Sequence, residues 1–209
     1  MPSDHPKPVL RPSDMFDRLF ESEDPAEVSR AAHMTAQTLL ARVRRDQDPE
    51  VVERLIGFAS AHGVDDIAQL WARSPAASLP GALWRLYLVQ LSIHRDPHTA
   101  SLLYERGRRQ LPTADPIVAG APDPARPDEL VLLIDTIMRG VFTGDLAVAL
   151  DRTAAFCRVE ASGATHLADD HETTEPERST ALTRRALRLA AFAEELRVAA
   201  RLWRLGDLS

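Results

Sequence analysis

The chain has 209 residues, 44% of them hydrophobic and 27% charged, with a formal net charge of -6. That size suits one domain with a sizeable core, and the composition excludes wholesale disorder. The acidic balance argues against a sequence-independent nucleic-acid binder, which needs a basic face to release counterions. Here Arg supplies nearly all the positive charge, interleaved with Asp and Glu, and Lys7 is the sole lysine.

The first fourteen residues, MPSDHPKPVLRPSD, show no basic segment followed by an apolar one, so no secretory leader is expected. No run of about 18 apolar residues occurs, which argues against a membrane span and leads to a cytoplasmic reading. Residues 1–12 hold four prolines and read as an extended arm, with a helical domain over 13–209. A short helix is predicted at about 13–21, carrying Met15, Phe16, Leu19 and Phe20 behind Ser13 as its cap. Asp24-Pro25, Asp48-Pro49 and Asp96-Pro97 each place a cap acceptor before a proline at the first helical position. They open predicted helices at about 25–45, 48–61 and 97–111, and His62-Gly63 separates a further one at Val64 to Arg73. Strand alternation and hairpin dipeptides are nearly absent.

From Ser78 to Arg95 the apolar residues cover most of a helical circumference, leaving Arg85, Ser92 and Arg95 as a narrow polar stripe. Such a helix is expected at the centre of a bundle. Its arginines then need partners, because a buried unpaired charge is costly. They pair with acidic side chains or reach the edge; the sharper alternative is an anion pocket lined by Trp84, Arg85, Tyr87 and Arg95. The next stretch, LPTADPIVAGAPDPAR at 111–126, has four prolines and one glycine and reads as a crossover over 112–126 between two helical halves.

Beyond it, Pro127-Asp128-Glu129 opens a helix through Leu130, Ile134, Ile137 and Met138. After Gly140 and Thr143-Gly144-Asp145, a second helix is predicted from Leu146 to about Val159. Cys157 is the only cysteine, so neither an intrachain disulfide nor a cysteine metal cluster is available; its apolar neighbours suggest core packing rather than a nucleophile. His166, Asp169, Asp170, His171 and Glu172 then fall in what reads as a solvated acidic loop. The alternative is a metal site using His166, Asp170 and His171, whose side chains suit Zn, Mn or Fe. Glycine-rich phosphate loops, HExxH, paired CxxC and GxSxG are absent, and no cofactor is implied.

The last helix is predicted from Thr174 to Leu205, with a Thr174/Glu177 capping box and Gly206 as the stop. Leu182, Ala186, Leu189, Ala193, Leu196, Ala200 and Trp203 alternate four and three apart, which is a heptad seam. A second apolar row, Leu187, Ala191, Val198, Leu202 and Leu205, widens that stripe toward a bundle helix. The seam therefore reads first as an intramolecular clamp, so that a monomer is favoured over a homodimer.

LPGALWRLYL at 79–88, GVFTGDLAVAL at 140–150, AAFCRV at 154–159 and ALTRRA at 181–186 resemble a family of small actinobacterial proteins that often carry an RNA polymerase beta subunit label. The resemblance covers most of the chain from about residue 13 and implies a helical fold and an actinobacterial source, consistent with the Arg and Ala bias. It implies no activity residue by residue. A true beta subunit is a very large multidomain chain, and these residues contain none of its catalytic or nucleic-acid-binding parts.

The expectation is thus an all-α single-domain bundle of about seven to eight helices with a long C-terminal helix. Its expected role is a non-enzymatic binding or adaptor module whose partner is another protein. The alternatives are a small-molecule or metal-dependent enzyme, using the pocket near Trp84, Arg85 and Tyr87 or the 166–172 loop, and a transcription-associated protein.

Overall fold

The computed structural model describes residues 24–41, 64–110, 125–139 and 142–208. The expected 1–12 arm, the helices at 13–21 and 48–61, and most of the 112–126 crossover lie outside them. Among the described residues the chain is all-α, with seven helices: α1 (Pro25–Ala41), α2 (Val64–Trp71), α3 (Leu79–Arg95), α4 (Pro97–Gln110), α5 (Pro127–Met138), α6 (Leu146–His171) and α7 (Pro176–Leu205).

Helix starts follow the punctuation. Asp24 accepts a hydrogen bond from the Ala26 N–H at 2.9 Å, and Asp96 accepts one from the Thr99 N–H at 3.0 Å. Ser78 accepts from the Gly81 N–H at 3.2 Å, and Asp145 from the Ala147 N–H at 2.8 Å. Each satisfies a donor that the first helical turn leaves without an intrahelical partner. Gly206, at φ 78°, takes the left-handed conformation that closes α7.

Helix α3 packs against every other described helix, as its apolar girth requires. Leu79, Leu83, Leu86, Val89 and Ile93 are buried. Trp84, Tyr87, Leu88 and Leu91 are only half-buried, so neighbours do not enclose α3 on all sides. The large core side chains Trp71, Tyr104 and Phe156 are fully enclosed. The Trp71 Nε1–H donates to the Thr35 hydroxyl at 3.0 Å, which avoids an unsatisfied buried indole. Tyr104 stacks on Phe156 with ring centroids 5.7 Å apart.

Two departures from the expected boundaries matter for the site. Helix α6 does not end near Val159; it continues without a break to His171. Gly163 within it is a packing position rather than a break. A Cβ there would lie 1.9 Å from the Leu103 carbonyl oxygen of α4, and one on Gly107 would lie 1.8 Å from the Val159 oxygen. The two glycines face each other across the crossing and let the backbones of α4 and α6 nearly touch, which repays the poor helix propensity of glycine. The second departure concerns the start of α7. Its cap residue is Glu175, whose side chain makes no cap hydrogen bond, so the Thr174/Glu177 box does not form. The longer α6 leaves only 172–175 as a turn, and α7 then runs antiparallel along α6, as the Arg185–Glu160 and Arg204–Asp151 contacts record. The seam Leu182, Ala186, Leu189, Ala193, Leu196 and Ala200 is buried there and Trp203 is half-buried against the core, so the heptad is satisfied within the chain.

Candidate functional site

Three places combine side chains that could carry a function. The first is the stretch around Trp84. Trp84 stacks on Tyr87 at 5.5 Å. Arg85 Nε donates to Glu195 Oε2 of α7 at 2.5 Å, and its Nη1 donates to the Gly81 carbonyl oxygen at 2.8 Å. The guanidinium that an anion would need is thus neutralised by a carboxylate. Arg95 is exposed at the end of α3, ten residues and about 15 Å along the axis from Arg85. The structure brings Trp84 and Tyr87 together, directs Arg85 to Glu195 on another side of the helix, and leaves Arg95 apart.

The second place is the His166–His171 segment. It occupies the final turns of α6 and is not the loop expected from sequence. His166 and Asp170, four apart, share a helix face. Asp170 is engaged by Arg106 of α4, and His171 Nδ1 lies 3.0 Å from Glu175 Oε1. Among the described residues no group of three His, Cys, Asp or Glu side chains converges as a metal site requires. His94 and His98, at the junction of α3 and α4, are exposed on either side of Asp96. Hydrogen bonds from the Thr99 hydroxyl and N–H hold the Asp96 carboxyl below the usual carboxylate range.

The third place is buried and was not anticipated. Glu160 is 1% exposed in the middle of α6. Its Oε2 lies 3.5 Å from Arg185 Nη2, and its Oε1 has no hydrogen-bond partner among the described residues. Burial pushes the carboxyl up to about 7, with the Arg185 guanidinium pulling the other way. Burial, and secondarily the Glu160 charge, also pushes the Cys157 thiol up, so this sulfur stays a protonated apolar filler. The signal in the sequence was the register: Glu160 follows Phe156 and Cys157 by four and three and precedes Gly163 and Ala164 by three and four. Ending the helix at Val159 hid that periodicity.

At about 100° per residue, Leu187, Ala191, Val198, Leu202 and Leu205 fall on the side of α7 roughly opposite the buried seam. Leu187 is 67% and Leu205 68% exposed, Ala191 is exposed, and Val198 and Leu202 are half-buried. This row was expected to widen the buried stripe; Leu202 does so, packing against the core, and Val198 is half-buried, whereas Leu187, Ala191 and Leu205 are directed away from the core. No described helix is long and apolar enough to cross a membrane. No protein-family model, curated protein or solved structure matches the chain.

Proposed function

We propose that the chain is a non-enzymatic helical binding module that docks another protein chain along the outer face of α7. One observation carries the reading: opposite its buried seam, α7 presents Leu187, Ala191 and Leu205 exposed among the described residues. Among the described residues α6 and α3 pack on α7, and neither covers Leu187, Ala191 or Leu205, so the outer side is suited to a further helical neighbour. The partners taken by Arg85 and Asp170 favour this over the pocket and metal readings, since both groups are already engaged in internal ion pairs. Docking by an amphipathic helical face uses apolar anchors three and four apart, as this row supplies.

The test is a photo-crosslinking side chain at position 187, introduced into the chain at native expression in its host. Crosslinks to a defined protein chain, abolished by Leu205→Asp with the thermal melt unchanged, are the expected result. Absence of any protein crosslink at 187, with a crosslinker at the buried position 189 as the negative control giving the same pattern, overturns the reading.

A further inference from the structure

The outer face of α7 carries a second heptad that says what docks there. Leu187, Ala191, Glu194, Val198, Arg201 and Leu205 are spaced four, three, four, three and four apart, so they form a straight seam about 27 Å long. Its ends are exposed leucines, and its interior holds two opposite charges seven residues apart. Glu194 is exposed and, among the described residues, pairs only with Arg197 of its own helix, at 3.7 Å. Arg201 is exposed and makes no ion pair among the described residues.

We infer that this face pairs with the same face of a second copy of the chain, with the two α7 helices antiparallel, which deepens the binding-module reading and rests on it. The charges select the partner and the direction. In a parallel, in-register pair Glu194 would meet Glu194 and Arg201 would meet Arg201, two like-charge layers in a partly desolvated seam. Reversing one helix about a two-fold axis near residue 196 removes both repulsions. Leu187 then packs on the partner's Leu205 at each end, and Val198 faces the partner's Glu194. The partner's Arg201 lies one turn beyond the partner's Val198, where its long side chain reaches Glu194, and the two-fold repeats the contact. The two-fold places Ala191 opposite the partner's Arg201, where the small side chain leaves room for the arginine to reach along the seam, and the interface is isologous. The buried seam on α6 lies on the far side and is undisturbed.

Two short helical faces bury an area at the low end of specific interfaces, so the dimer forms and dissociates with concentration. Sedimentation velocity of the full chain between about 1 and about 200 µM spans the affinities expected at that size. The mass rises from one chain toward two. Glu194→Arg or Arg201→Glu alone weakens association by about tenfold or more, consistent with like-charge juxtaposition, and the double reversal restores it. Direction is read separately with L187C and L205C. Cys157 is buried and does not compete. Mixing the two variants under mild oxidation gives the 187–205 crosslink, and neither variant alone crosslinks efficiently.

A single-chain mass throughout overturns the inference, as does a dimer in which the double reversal fails to rescue or position 187 crosslinks to itself. These failures are distinguishable from failure of the binding-module reading. A monomer whose position 187 captures a different protein leaves that reading standing; a monomer that captures none removes both.

Discussion

Replacing Glu160 by Gln tests the energetic account of the α6–α7 core most directly. The carboxyl is enclosed, with one oxygen lacking a partner and the other 3.5 Å from Arg185, and it titrates near 7 instead of 4.5. That difference corresponds to about 3 kcal/mol at 1.36 kcal/mol per pH unit. Between about 4.5 and about 7 the folded chain binds more protons at this site than the unfolded one, so stability falls as pH rises through that window and levels off above it. Gln mimics the protonated side chain in shape and charge. The variant should therefore exceed the parent by only about 1 kcal/mol at pH 5 and by about 3 kcal/mol at pH 8, since the folded parent buries the charge only at the higher pH. In a domain of this size the Tm gap at pH 8 is roughly 6–12 °C. Urea unfolding followed by helical circular dichroism, across pH 5 to 8, gives the difference directly, because every other titration is common to both chains. A constant difference across the range, or a parent that gains stability relative to Gln as pH rises, refutes the reasoning.

Gly163→Ala should cost about 2–3 kcal/mol, because its Cβ has the Leu103 carbonyl in its path and α4 must move away. Helix propensity alone favours Ala by about 1 kcal/mol, so a stabilised variant would contradict the close crossing. Gly206→Ala has open space around its Cβ and should still lose about 1 kcal/mol through its positive φ, measurable as a shift in denaturant midpoint. For the Arg85–Glu195 pair, Arg85→Ala should destabilise by about 1–2 kcal/mol and a double-mutant cycle should return a coupling of about 1 kcal/mol. Strictly additive losses would separate the two side chains and reopen Arg85 to an external anion.

Local rules made most helices legible. Asp-Pro starts, the Ser78 cap and the apolar spacing of α3, α5 and α7 each depend on residues a few positions apart, which a linear reading sees. The all-α class and the intramolecular use of the first heptad follow from the same patterns. The errors arose where a neighbour distant in sequence decided the outcome. Gly163 reads locally as a helix breaker, and only the α4 backbone lying against it turns it into a packing position. Extending α6 moved His166, Asp170 and His171 from a loop onto a helix end and carried Glu160 into the core. Likewise the sequence shows that α7 has two apolar rows, since periodicity is a one-dimensional property. Which row is buried depends on where α6 lies, and α6 takes the Leu182–Ala200 side because its own length and the short 172–175 turn bring it there. Leu187 and Leu205 are left facing outward by that choice of tertiary packing, not by anything in their own sequence neighbourhood.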